Sequence, residues 1–212
     1  VNQAQTLITY TEALFTSVID EADAYRAPLS CETRIYELTG YGPAGPAGHF
    51  RPGDFIQPDA TDPTRLTHSF DGEITYESQP TSGRQRRMIE QVRTLYRKND
   101  LTGLLPLGAV ESLALAGETY RLAFTPGLLS EVFRRNSQPL LANPPTVLGG
   151  TGADQGGYVD LDGDGCWWIP AGRVFLSPDP AHTPAQEVTY ARTQFFLPHR
   201  YQDPFRQTTT VI

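Results

Sequence analysis

The order of polar and apolar positions predicts two strands near the start of the chain. Glu32–Leu38 alternates polar and apolar residues, which is the period of a half-buried β-strand. Thr6–Tyr10 is a shorter run of residues that favour strands. The segment between these runs, Glu12–Asp23, lacks the alternation and predicts a short helical turn.

Residues 84–98 carry two competing patterns. Their apolar side chains recur at the spacing of one helical face: Met88, Ile89, Val92, Leu95 and Tyr96. The same stretch is rich in residues that suit a strand, and it follows a turn at Gly83. Periodicity by itself favours a helix here, and the strand remains the alternative.

The middle of the chain predicts two helices and one strand. The apolar stretch Leu107–Leu115 predicts a helix, and residues 119–124 alternate as a strand does. Thr125 followed by Pro126 is typical of a helix start, because threonine caps the first amides and proline fits the first turn. Asn136 is the predicted end of that second helix.

Two stretches punctuated by Gly and Pro predict long loops, at residues 40–64 and 137–157. The remaining predicted strands follow the second loop, and they are residues 157–160, 166–169, 173–176, 194–197 and 208–212. Together these elements predict a mainly β fold of antiparallel strands and hairpins with one or two short helices. We treat residues 1–212 as a single region.

Composition narrows the classes of function. The formal net charge of −7 argues against a nucleic-acid binder, and no apolar run is long enough to span a membrane. The sequence shows no signal peptide, and its two ends, Val1 and a strand-like Ile212, are expected to be cut from a longer protein. Cys31 and Cys166 are expected to be free thiols, with one disulfide as the alternative.

The sharpest local motif is an acidic turn before two tryptophans. Asp160, Asp162 and Asp164 with Gly165 match the first half of a calcium-binding loop. The position that needs a bidentate acid is Ala171, so the second half is missing. Calcium binding is therefore one hypothesis for these three carboxylates. Because the second half of the loop is missing, we favour the alternative, a tight hairpin turn.

Trp167 and Trp168 follow the turn directly. Adjacent strand residues point to opposite faces, so one ring can enter a core while the other lies on the far side. A sugar-stacking platform is the functional interpretation, and core packing is the one that we favour. The basic run Arg84–Lys98 could contact phosphate, but we favour a solvated face or pairing with the acidic excess.

No arrangement of residues in the sequence predicts catalysis. The four histidines lack a metal-binding spacing, and neither a nucleophile elbow nor a phosphate-binding loop is present. Apart from the calcium hypothesis, the sequence predicts no cofactor. We therefore expect that the chain is not an enzyme.

Several segments, taken in order, resemble the B component of bacterial insecticidal toxin complexes, the RHS-containing Tc toxins. Together these segments are more specific than any one of them. The full set comprises Gln5–Glu12, Tyr25–Leu29, Glu32–Gly40, Arg86–Arg97, Asp100–Gly103, Pro106–Leu115, Tyr120–Leu129, Trp167–Arg173 and Phe195–Phe205. The resemblance is to the middle/C-terminal region of a TcdB-like component, and it covers nearly the whole chain.

The resemblance implies a secreted shell protein. In such toxins the B and C components form a hollow β-sheet cocoon, which encloses a cytotoxic effector and docks onto a pore-forming A component. It implies that this chain is a fragment of the cocoon wall. Its partners would be the rest of its own B component, the C component with its effector and, through other regions, the A component. It also moves the prediction for residues 84–98 towards a long strand.

The sequence departs from the family in two places. The Asp160–Gly165 turn is longer and more acidic than the family's usual turn, and Arg206 stands where the family usually has glycine. A rival interpretation is a secreted β-rich module that binds carbohydrate or a host surface through Trp167 and Trp168. An enzyme fragment completed by residues outside the chain is a third.

Overall fold

The computed structural model describes residues 7–45, 48–150, 152 and 155–211. In the first 74 residues the strands are β1 (Ile8–Phe15), β2 (Ile19–Glu21), β3 (Ala24–Arg26), β4 (Ser30–Thr39), β5 (Ile56–Pro58), β6 (Leu66–His68) and β7 (Gly72–Ile74). They continue with β8 (Gln85–Tyr96), β9 (Ala116–Phe124), β10 (Arg134–Arg135), β11 (Gln138–Pro139), β12 (Trp167–Phe175), β13 (Arg200–Gln202) and β14 (Thr208–Thr210). The helices are α1 (Pro144–Leu148) and α2 (Pro184–Thr193), with a 3-10 turn at Pro52–Asp54 and a π-helical turn at Leu128–Val132.

One eight-stranded sheet dominates the described residues. Its order is β1-β4-β8-β9-β12-β13-β14, with β7 added parallel to β8 at residues 72–74. Three two-stranded hairpins lie outside it: β2–β3, β5–β6 and β10–β11. The prediction of a mainly β, antiparallel fold with short helices is confirmed.

The chain divides into two compact units. The described residues within 1–11 and 35–89 belong to the first unit, and those within 12–34 and 90–212 belong to the second. Strands β1, β4 and β8 each contribute residues to both units. In the second unit Leu101, Leu115, Leu176 and Ala191 form a hydrophobic core cluster, against which Leu113, Val188 and Phe196 pack.

Several predicted strands are confirmed. β4 covers Glu32–Leu38, β9 covers residues 119–124, and β14 lies within 208–212. β1 begins at Ile8, while Thr6 and Ile212 fall outside the described residues. The runs 166–169 and 173–176 join in one strand, β12, which accommodates Pro170 beside a register shift in its pairing with β9. The run 157–160 contributes only an isolated bridge between Val159 and Trp168.

The helical turn predicted in Glu12–Asp23 is wrong. This segment ends β1 and then forms the β2–β3 hairpin, in which Asp20 pairs with Tyr25. The base of the hairpin is fixed by two bonds between Thr16 and Leu29: the Thr16 amide donates to the Leu29 carbonyl at 2.8 Å, and the Leu29 amide donates to the Thr16 hydroxyl at 3.0 Å. Pairing within the hairpin therefore outweighs the weak local preference for helix.

The helix favoured by periodicity at residues 84–98 is also wrong, and the strand interpretation is confirmed by β8. The predicted helix Leu107–Leu115 is absent, because Gly108 and Ala114 both adopt positive φ, at 83° and 52°. Asn99 ties down this irregular segment instead. Its amide donates to Glu111 at 2.6 Å, and its side-chain oxygen accepts from the Leu113 amide at 3.1 Å.

The helix start at Thr125 is confirmed by its geometry. The Thr125 hydroxyl accepts a hydrogen bond from the Leu128 amide at 3.1 Å, and the turn that follows is a five-residue π-helix. Asn136 lies beyond its end, in the β10–β11 hairpin, with φ of 50°. Positive φ at Asn136 and Ser137 suits the mirror-image turns that tight hairpins prefer.

Two helices were not predicted. α1 begins at Pro144 inside the predicted loop 137–157, where two prolines fit its first turn. α2 begins after Thr183, which forms a capping box with Gln186. Residues 194–197, predicted as a strand, form the turn that ends α2. Among the described residues no helix is long and apolar enough to cross a membrane.

Candidate functional site

A buried ion network in the second unit joins two strands and the acidic turn. Glu32 on β4 has a side chain with no exposed surface. Its Oε1 accepts from the Arg93 Nε at 2.7 Å and from the Gln91 Nε2 at 2.6 Å, both on β8. Arg34 Nη2 lies 2.7 Å from the second carboxylate oxygen. A buried charge is tolerated when it is paired in this way.

Arg93 carries the network to the acidic turn. Its Nη1 donates to Asp162 Oδ2 at 2.5 Å, and the Asp162 side chain is 48% exposed. Its guanidinium lies 4.4 Å from the centroid of the Trp168 ring, a cation–π contact. One arginine therefore links a fully buried carboxylate, a buried indole and a surface loop.

The electrostatics of Glu32 follow from these contacts. Burial acts to raise the pKa of the Glu32 carboxyl, but hydrogen bonds from Arg93 and Gln91 and the charges of Arg34 and Arg93 outweigh it. The pKa of Glu32 therefore lies below its ordinary value. Glu32 is ionised at neutral pH, which makes the arginine partners obligatory.

The acidic turn is held mainly by hydrogen bonds between its own aspartate side chains and its backbone amides. The Asp160 carboxylate accepts from the amides of Gly163, Asp164 and Gly165, at 2.8, 3.2 and 3.1 Å. Asp164 Oδ1 accepts from the Cys166 amide at 2.9 Å. Gly163 and Gly165 adopt φ of 71° and 82°, conformations that other residues avoid. Geometrically this is a tight turn between Val159 and Trp168.

The structure does not bring the three aspartates together as a set of metal ligands. Within the described ranges, no group of three or more His, Cys, Asp or Glu side chains is placed to hold a metal ion. Asp160 is used by amides, Asp162 by Arg93 and Asp164 by Cys166. Calcium binding at Asp160, Asp162 and Asp164 stays a hypothesis for titration.

Both tryptophans are buried. Trp168 is 1% exposed and Trp167 is 8% exposed, so neither offers an open ring face to a ligand. The Trp168 Nε1 is buried without a hydrogen-bond acceptor among the described residues. The two rings occupy the positions that core packing requires.

Four arginines of the basic run form ion pairs, three of them on β8 and the fourth, Arg97, just after it. Arg86 pairs with Glu73 at 2.7 Å, Arg87 with Glu37, and Arg97 with Glu187 at 3.4 Å. Together with Arg93, these arginines neutralise carboxylates within their own units rather than forming a phosphate-binding stripe. The pairings also explain why β8 tolerates so many charges, since each charge is matched by a neighbouring element.

Neither cysteine has the lowered thiol pKa of a reactive nucleophile. Cys31 and Cys166 are free thiols in the structure. Burial raises the pKa of the Cys166 thiol to about 11, and the nearby carboxylates, Asp164 foremost, add to the effect. Burial also raises the pKa of Cys31. A thiol that stays protonated at neutral pH is a poor nucleophile.

Sequence reasoning missed one cluster with the residue types of a hydrolase. Ser177 Oγ lies 2.7 Å from His182 Nδ1, and His182 Nε2 lies 3.6 Å from Asp179 Oδ2. Ser177 is only 1% exposed, and its hydroxyl also accepts from the Asp179 amide at 3.1 Å. The cluster therefore stabilises the turn before α2, and the Ser177 hydroxyl is inaccessible to a substrate.

Comparisons with known proteins give one result. No family model matches the sequence, and no curated protein matches it. Among solved structures, the crystal structure of TcdB2-TccC3 covers 92% of this chain and 8% of its own, with 18% identity and a TM-score of 0.50. A second structure, TcdB2-TccC3 without its hypervariable C-terminal region, has the same coverage and identity and a TM-score of 0.49.

At 18% identity the likeness concerns the fold. The chain spans about a twelfth of the length of the chains that it is similar to. The chain therefore has the mainly antiparallel β fold of part of a Tc toxin B/C component structure.

Proposed function

We propose that this chain is a structural, non-catalytic wall segment of a bacterial toxin-complex shell, which encapsulates a cytotoxic effector and delivers it. The observation that carries the proposal is the fold shared with TcdB2-TccC3 over 92% of the chain. The segment would belong to a secreted B component. Its partners would be the rest of that component, a C component with its effector and, through other regions, a pore-forming A component.

The interior of the chain supports a structural role. An eight-stranded sheet pairs its own backbone groups, and β8 matches its arginines to carboxylates on other elements. A wall built in this way can separate an enclosed protein from solvent and protease. Catalysis would then lie with the effector, outside this chain.

The rival function, binding of carbohydrate or a host surface through Trp167 and Trp168, is less well supported. A stacking platform needs an exposed ring, and both rings are buried. We therefore carry forward the shell as the single proposed function.

Protection of the effector tests the proposal. The natural B component that carries this chain is co-expressed with its C component, and the purified complex is treated with protease. The effector stays intact if the shell is closed. Arg93→Met, which leaves Glu32 buried without its main partner, is expected to admit protease, whereas Arg121→Met at an exposed ion pair is not. An effector that is degraded at the same rate inside the wild-type complex as outside it contradicts the proposal.

A further inference from the structure

We propose that Phe195, at the end of α2, is a contact residue that docks this segment onto another part of the same shell polypeptide. This inference rests on the proposed function. It is carried by two observations: the strained backbone conformation of Phe195, and the exposure of its ring among the described residues.

The backbone at Phe195 is the kind that glycine normally occupies. α2 ends with the Phe196 amide donating to the Ala191 carbonyl at 2.9 Å, the long-range bond of a Schellman motif. This motif requires a left-handed residue just before Phe196, and that residue is Phe195, with φ of 54°. Glycine is favoured there because a Cβ atom is strained in this conformation.

Phe196 shows what normally compensates such strain. It has nearly the same backbone angle, with φ of 55°. Its ring packs against the core cluster of Leu101, Leu115, Leu176 and Ala191. Phe196 therefore recovers burial free energy in return for its conformation.

Phe195 has no such compensation in the described residues, because it is 87% exposed. Leu197, two positions on, is 60% exposed. Aromatic side chains, phenylalanine among them, are enriched at the cores of protein interfaces relative to the rest of the surface. A residue that costs stability without packing inside the segment is best explained by a contact outside it.

The length of the similar chains indicates what would cover the Phe195 ring. TcdB2-TccC3 aligns with 92% of this chain but only 8% of its own length. If this chain is a wall segment, most of the surface that surrounds it belongs to the same polypeptide. An apolar pocket on a neighbouring part of that polypeptide is the partner that would cover the Phe195 ring.

The first test compares two substitutions in the natural polypeptide that carries this chain. Phe195→Ala keeps the left-handed strain and removes the ring, so a docked ring predicts that the folding equilibrium constant falls by about ten-fold. Phe196→Ala empties the core cluster and is expected to lower that constant as well. A constant that Phe195→Ala leaves unchanged shows an uncovered ring and overturns the inference.

The second test locates the contact. Phe195 is replaced by photo-reactive p-benzoyl-phenylalanine in the natural polypeptide that carries this chain, assembled with its C component. Cross-linking to a site in the same polypeptide beyond residues 1–212 supports the inference. Cross-linking to another chain, to residues within 1–212 only, or to nothing overturns it.

The two proposals fail in distinguishable ways. If the effector remains protected from protease while Phe195 cross-links nowhere, the shell proposal is retained and only the Phe195 contact is rejected. An effector that is unprotected removes the shell, whatever Phe195 contacts.

Discussion

At the scale of single residues, Arg93 is the side chain with the most demanding set of contacts. It contacts a carboxylate with no exposed surface, a half-exposed carboxylate and a buried ring. Glu32 and Arg93 lie 61 positions apart, and both residue types are usually found at the surface. The sequence offers no signal that joins them, so this network could not be predicted before the strands were paired.

Arg93→Met is expected to destabilise the chain by about 3 kcal/mol, since it removes one of the two arginines that neutralise the buried Glu32 carboxylate. Arg121→Met is the matched control, because Arg121 pairs with Glu90 at the surface at 3.2 Å, and exposed pairs contribute about 0–1 kcal/mol. Urea unfolding monitored by tryptophan fluorescence measures both. Equal effects of the two substitutions would show that the Glu32 network has no special weight.

Glu32 is also expected to make the folded chain less stable at acid pH. Its folded pKa is lowered, so its contribution is fully present above the unfolded pKa of about 4.5 and is lost as pH falls through the lower, folded value. The free energy of unfolding is therefore expected to decline below about pH 4.5. Glu32→Gln should flatten that decline in urea titrations repeated at each pH. An unchanged slope would assign the acid sensitivity to other carboxylates.

The three aspartates of the turn can be tested directly with calcium. Their oxygens already accept hydrogen bonds from loop amides and from Arg93, and Ala171 cannot complete the loop. Isothermal titration of the chain with calcium is expected to show no binding heat. Saturable binding that is lost in Asp160→Asn would establish the metal hypothesis instead.

At the scale of elements, alternation was a good guide to strands and helical periodicity was not. β4 and β9 follow the polar–apolar pattern that predicts them. β8 shows helical spacing, because its arginines interrupt the alternation. These arginines are matched by Glu73, Glu37 and Glu32 on other strands. Leu107–Leu115 is apolar enough for a helix, but Gly108 and Ala114 turn the chain by positive φ.

α2 was predictable from its own sequence. Thr183, Pro184 and Gln186 form the start signal of a helix. Thr183→Ala removes the hydroxyl that accepts from the Gln186 amide and is expected to cost about 1 kcal/mol. Thr189→Ala is the control within the same helix, because alanine is the better helix former there. Thermal unfolding compares the two, and an equal shift in Tm would argue against a capping role.

At the scale of the whole molecule, the sequence resemblance and the fold comparison agree on the class of structure. The resemblance predicts part of a Tc toxin B component, and the likeness to TcdB2-TccC3 supports a B/C-component-like fold. At Asp160, Asp162 and Asp164 the sequence favours a hairpin turn over calcium, and at Trp167 and Trp168 it favours core packing over a ligand platform. In the structure the three carboxylates accept hydrogen bonds from loop amides and from Arg93, and both rings are buried. Calcium binding stays a hypothesis.

The most direct measurement is a cryo-electron microscopy structure of the natural complex formed by the protein that carries this chain. The account predicts that the eight-stranded sheet forms part of a closed shell wall, with effector density on one side and solvent on the other. A chain that instead projects from the complex as a separate module, with both faces of its sheet in solvent, would contradict it.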